Sequence, residues 1–187
     1  MKVAFIGTHG VGKTTLCFDL AARMKRLDLS VDIVKEVARQ CPLPINRETT
    51  LDAQLWILHE QIAEEISASA RFEAVICDRS VLDNYAYLVH ALGHRDELEP
   101  MVHDWSRSYD GLFKVPAVQA PRFDGTRDVS ATFQREIDET IEALLRRFGV
   151  RCHRLDPAQR EHWPSAVLRD VGLPESPPQI DLFDPGG

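Results

Sequence analysis

The chain has 187 residues, of which 44% are apolar and 27% charged, enough for one well-cored domain and too few for two full ones. A net charge of −7 argues against DNA or RNA as the principal partner, because nucleic-acid binders carry a basic stripe. No apolar run reaches the ~18 residues of a membrane span, and no signal-peptide pattern precedes the first strand, so a cytoplasmic setting is expected.

In chain order, Val3–Ile6 is a short continuous apolar run ended by Gly7, the pattern of a buried parallel strand. From Lys13 to Leu27, the residues Leu16, Leu20, Ala21, Met24 and Leu27 recur at helical spacing. Val31–Val34 reads as a second strand. A long helix is expected over 49–70, capped by Thr49 or Thr50, with Leu51, Leu55, Leu58, Ile62 and Ile66 on its buried face. Ala74–Cys77 is a third strand, and 81–92 a helix closed by Gly93. A further helix over 96–106 and a strand over 112–115 follow. Residues 121–129 are polar and read as a loop. Residues 131–148 form a strongly amphipathic helix through Phe133, Ile137, Ile141, Leu144, Leu145 and Phe148, and 150–155 a fifth strand. Short apolar strands alternating with helices specify an α/β fold: a parallel five-stranded sheet covered on both faces, in three layers. One domain over 1–173 is expected, with a proline-rich, loosely ordered tail over 174–187. The four cysteines, Cys17, Cys41, Cys77 and Cys152, form no C-x-x-C pair, and Cys17, Cys77 and Cys152 read as small core residues rather than zinc or redox groups.

Between the first strand and first helix, Gly7-Thr8-His9-Gly10-Val11-Gly12-Lys13-Thr14 matches G-x-x-x-x-G-K-[ST] in full, the Walker A or P-loop pattern. Glycines let the backbone turn its N–H groups inward, and the helix N-terminus adds a favourable dipole for phosphate. Lys13 is then expected on the β- and γ-phosphates and Thr14 on magnesium. His9 and Val11 contribute backbone, and Thr15 is placed either at the α-phosphate or only as a cap of the helix. ATP and Mg2+ are the expected cofactors.

Two further strand ends carry charge. Asp78-Arg79-Ser80, followed by Asp83, closes the third strand, at the sheet edge where parallel folds bind ligands. A carboxylate at Asp78 suits magnesium and a guanidinium at Arg79 suits a transferring phosphoryl group. After the second strand comes Glu36-Val37-Ala38-Arg39. Glu36 is placed to orient an acceptor hydroxyl or accept its proton, and Arg39 to clamp an anionic or sugar group. Gln54, Trp56, Gln61 and Tyr85 are candidates to stack on or hydrogen-bond a ring. No N-K-x-D is found, and no D-x-x-G stands at a strand end, where the switch of a GTPase would be.

This set resembles the NadR-type ribosylnicotinamide kinases and the AAA_28-type small ATPases and kinases, and more distantly the deoxynucleoside and thymidylate kinases. The resemblance rests on Gly7–Thr14, on E-x-A-R at Glu36–Arg39, on D-R-S at Asp78–Ser80 and on D-G-x-R at Asp124–Arg127. It implies a nucleoside- or nucleotide-kinase-like core, with Glu36 and Asp78 facing acceptor or metal, Arg79 touching phosphate, and Arg122 and Arg127 on a lid over ATP. The adenylyltransferase domain of NadR has no counterpart in the sequence. The expected activity is an ATP- and magnesium-dependent kinase acting on a small nucleoside-, nucleotide- or ribosylnicotinamide-like metabolite. The catalytic set is Lys13, Glu36, Asp78, Arg79 and Arg127, and the acceptor set Glu36, Arg39, Gln54, Asp78, Arg79 and Asp83. Alternatives are an NTPase acting as a switch or assembly partner, and a polynucleotide 5′-kinase, which the acidic balance disfavours. The helix over 81–92 is the candidate contact for a homodimer.

Overall fold

Five parallel strands form one sheet in the computed structural model, which describes residues 1–45, 48–117 and 131–177. They are β1 (Lys2–Ile6), β2 (Val31–Val34), β3 (Ala74–Asp78), β4 (Gly111–Lys114) and β5 (His153–Arg154), in the order β2-β3-β1-β4-β5. The expected fold class is the one observed. Register pairs Phe5 with Asp78 and Ile6 with Lys114, so three strands finish level on one edge. The chain leaves β1 toward β2 on one side, while β4 pairs on the other. The loop after β1 therefore opens at a topological switch point, the crevice in which such sheets hold ligands.

Side-chain alternation divides each strand between two cores. Ala4, Ile6, Val75, Cys77 and Leu112 pack under α2 (Leu51–Ser69), α3 (Val81–Leu92) and α5 (Ala131–Phe148). Val3, Phe5, Ala74, Ile76 and Phe113 pack under α1 (Lys13–Arg26) and α6 (Trp163–Asp170). Both faces are covered, which is why the strands read as continuous apolar runs. The short helix α4 (Glu99–Ser106) flanks the first core through Val102. Thr50 caps α2 by accepting from the Ala53 amide at 3.2 Å, a contact of the kind that contributes about 1 kcal/mol.

Three expectations are corrected. On α2, the buried set is Ala53, Gln54, Ile57, Leu58, Gln61, Glu65 and Ala68, whereas Ile66 is exposed and Leu51, Leu55 and Ile62 only half-buried. The helix is rotated because Glu65, with no exposure, is held by four donors. Lys2 Nζ (2.9 Å), Gln61 Nε2 (2.9 Å), Trp105 Nε1 (2.7 Å) and the Tyr109 hydroxyl (2.7 Å) all bond its carboxylate. A carboxylate so fully paired is cheaper inside than its hydrophobicity suggests. Second, β5 spans two residues rather than six, because only Phe113 and Lys114 offer it a partner. Third, α6 and the 3-10 turn Pro157–His162 before it were not anticipated, although Trp163, Val167 and Leu168 complete the second core. Cys17 and Cys77 are buried, with burial pushing both thiols well up, while Cys152 is half-buried and is pushed up to about 11 by burial. Among the described residues no helix is long and apolar enough to cross a membrane. Arg122, Asp124, Arg127 and residues 178–187 lie outside the described residues, so the lid expectation and most of the tail are not addressed.

Candidate active site

Gly7 begins the loop with φ +137°, and an ideal Cβ there would stand 2.8 Å from the Val115 carbonyl oxygen. No other residue fits that close approach. Gly12 ends the loop at φ +95°, handing the chain to α1. Between them Thr8, His9 and Val11 are buried and Gly10 is exposed, and Lys13, just after, is buried. The Lys13 ammonium folds back onto the loop, donating to the carbonyls of Gly7 (2.8 Å) and Thr8 (2.6 Å). Burial, and next the Arg79 charge, pull its pKa down to about 8, against the opposing pull of Asp83, Asp78 and Glu36. Four of the five charged groups singled out from sequence at the strand ends, Glu36, Asp78, Arg79 and Asp83, thus lie within electrostatic reach of Lys13. The Thr14 hydroxyl donates to Asp78 Oδ2 at the end of β3, bringing the two expected magnesium ligands into direct contact.

Arg79 turns the chain from β3 into α3 at φ +109°, a conformation that costs a non-glycine residue about 1–3 kcal/mol. Its side chain supplies the compensation. Nε donates to Glu36 Oε1 at 2.8 Å, Nη1 to Asp83 Oδ2 at 2.5 Å and Nη2 to the Tyr87 hydroxyl at 3.2 Å. Burial alone would lower the Arg79 pKa, but Tyr87, Glu36 and Asp83 more than offset it and hold the group charged. The Arg79 carbonyl accepts from Gln61 Nε2 at 3.4 Å, and Ser80 caps α3 through the Asp83 amide at 3.1 Å. Glu36, just before the 3-10 turn Val37–Gln40, also accepts from Arg39 Nε at 2.9 Å. Glu36, Arg39, Asp78, Arg79 and Asp83 are therefore gathered beside the loop.

Other candidates sit elsewhere. Gln54 donates to Thr49 Oγ1 at 2.8 Å, and Trp56 is half-buried. Tyr85 is not a ring partner: it is fully buried, and its hydroxyl bonds the Arg95 amide and carbonyl. Gln61 is committed to Glu65, Arg79 and Asn84. Sequence reasoning missed a cavity of about 500 Å³ beside Gly12, lined by Thr15, Asp19, Arg23, Arg160 and Trp163. Arg160 lies over Gly12, its Nη2 standing 2.7 Å from where a Cβ would be. Residues 157–164 carry no motif; the apolar spacing of Trp163, Val167 and Leu168 was the one available signal.

The family model AAA_28, described as an AAA domain, matches residues 2–162. The chain belongs to the AAA_28 family. Among curated proteins, none matches it at a significant level. The fold of this AAA_28 chain is shared by solved structures that include kinases. A NadR protein in complex with NR superposes with a TM-score of 0.75 at 20% identity over 96% of this chain, which spans 54% of that protein's length. Deoxyadenosine kinase from M. mycoides, with the products dCMP and a flexible dCDP bound, gives 0.65 at 13% identity over 92% of this chain and 99% of its own. Thymidylate kinase from Ehrlichia chaffeensis gives 0.64 at 19% identity over 90% and 98% respectively.

Proposed function

We propose that this protein is a kinase that uses ATP and magnesium to phosphorylate a hydroxyl of a small nucleoside-like metabolite. The observation that carries the reading is the ion-paired group Glu36–Arg79–Asp83 beside Lys13, because a carboxylate and a guanidinium next to a phosphate cradle suit an acceptor and a transferring phosphoryl group. The Thr8 hydroxyl is buried without a partner among the described residues, and a phosphate oxygen in the cradle would satisfy it. Thr14 and Asp78 offer oxygen ligands only, the donor chemistry magnesium prefers. When bound there, the metal would neutralise charge on the β- and γ-phosphates.

The protein's own residues do the rest. Inward amides of the loop from Gly7 to Thr14 and the N-terminus of α1 hold the β-phosphate. Lys13 exchanges its two carbonyl partners for phosphate oxygens. The donor's base enters the cavity beyond Gly12, against Arg160 and Trp163. Glu36 orients the acceptor hydroxyl and takes its proton as that oxygen bonds the γ-phosphorus and the bond to the β-phosphate oxygen breaks, leaving ADP. Arg79 stabilises the charge on the phosphoryl oxygens in flight, and Arg39 holds Glu36 from the solvent side. The direct test incubates the protein with γ-labelled ATP and a panel of nucleosides, nucleotides and sugar metabolites. A new labelled product from a nucleoside-like member is expected. Loss of ATP at the same rate with and without every acceptor would overturn the kinase reading in favour of a hydrolytic NTPase.

A further inference from the structure

We propose that Asp83 is a positioning residue that ties the phosphate cradle to the acceptor side, fixing the separation between the two; the inference rests on the function proposed above. Asp83 lies in the first turn of α3 and has no solvent exposure. Its two carboxylate oxygens point to different structures. Oδ1 accepts from the Gly7 amide at 3.1 Å, the first N–H of the loop, and Oδ2 accepts from Arg79 Nη1 at 2.5 Å. Neither bond is needed to start the helix, because Ser80 already caps it through the Asp83 amide.

A carboxylate is costly to bury unless donors surround it, and here the two donors come from the two halves of the site. Gly7 packs so closely on the Val115 carbonyl that it leaves no room for a Cβ, so the Asp83 oxygen that bonds its amide marks a fixed point. Arg79 has a second carboxylate partner in Glu36, which is shared with Arg39 and on the proposed mechanism turns to the acceptor hydroxyl. Asp83 is the carboxylate partner of Arg79 that keeps its place through that event, because it stands, like Tyr87, on a helix packed into the core. Guanidinium and cradle are then referenced to one side chain, and a near-attack separation needs no further device.

Two substitutions separate the halves. Asp83→Asn keeps an oxygen for the Gly7 amide but turns an NH2 toward the Arg79 guanidinium. Asp83→Ala removes both contacts. Affinity for a non-hydrolysable ATP analogue is measured at equilibrium, and kcat is measured with the acceptor found in the panel. For Asp83→Asn we expect affinity within about threefold of wild type and kcat lower by about 10–100-fold, the loss of one charge-assisted hydrogen bond. For Asp83→Ala we expect analogue affinity to fall as well, by about 5–10-fold. Equal losses in the two variants, with affinity and kcat falling in step, would mean that Asp83 only supports the fold and would overturn the proposal; so would a wild-type kcat in Asp83→Asn. Should Asp83→Asn yield too little folded protein, Asp83→Glu, which keeps the charge one methylene too far out, is read by the same split. If wild type phosphorylates nothing in the panel, the functional reading fails, while analogue affinity still judges the tie to Gly7: weaker in Asp83→Ala than in Asp83→Asn supports it, and equality ends it.

Discussion

The phosphate cradle takes its shape from backbone, since Gly7 is pressed against the Val115 carbonyl, Gly12 turns at positive φ, and Lys13 rests on main-chain oxygens. The group around Arg79 takes its shape from side chains, where three residues from two segments hold one guanidinium and the guanidinium holds a strained backbone. A backbone cradle is specified chiefly by its own glycines, with Asp83 and Val115 touching it at Gly7. A cluster of side chains is specified only by all its members at once, so each member should be individually sensitive.

The proposed function makes that contrast measurable. Lys13→Ala should bring the largest loss, about 10³-fold in phosphoryl transfer, because the charge on the β- and γ-oxygens disappears. The variant should keep a thermal midpoint at least as high as wild type at pH 7, since an ammonium whose folded pKa is lowered costs stability while it is charged. A collapsed fold would show instead that the loop depends on its lysine. Glu36→Gln should lower kcat by about 10²-fold with KM for ATP near unchanged, read from steady-state kinetics against both substrates; an unchanged kcat would return Glu36 to a structural ion pair.

Acidity offers the third probe. Lys13 has a pKa of about 8 in the free protein, and a bound phosphate raises it, so binding takes up a proton above that pH. Affinity for ATP should therefore decline as pH rises through about 8, by up to roughly tenfold per pH unit. Lys13→Arg, which does not titrate in this range, should lack the decline. The smallest effect is expected at Arg160→Ala, about 2–5-fold in donor affinity, the scale of an exposed cation stacked on a base. If kcat moved more than donor affinity in that variant, Arg160 would belong to the reacting end.

The cradle was legible in sequence because its pattern, strand and helix are contiguous, and the sheet because strands buried on both faces must be apolar throughout. The inward face of α2 was not legible. Counting apolar residues placed Leu51, Leu55 and Ile66 inside, whereas Glu65 and Gln61 occupy the interior with donors drawn from Lys2, Trp105 and Tyr109, far away in the chain. Tyr85 was misread for the same reason, its partner Arg95 lying beyond the helix end. The cavity beside Arg160 was missed because its other wall is the turn before α6, which carries no motif and comes far along the chain from the loop it faces. Asp78-Arg79-Ser80 was noticed as charge at a strand end, but its geometry depends on Glu36 and Asp83.

The torsion at Arg79 sets a constraint on sequence drift. In a library randomised at this codon, glycine would relieve the backbone and remove the cation, and most other side chains would keep the torsional cost without the ion pairs that offset it. Survivors of a folding screen would then favour glycine and arginine, and a screen for activity would retain arginine alone.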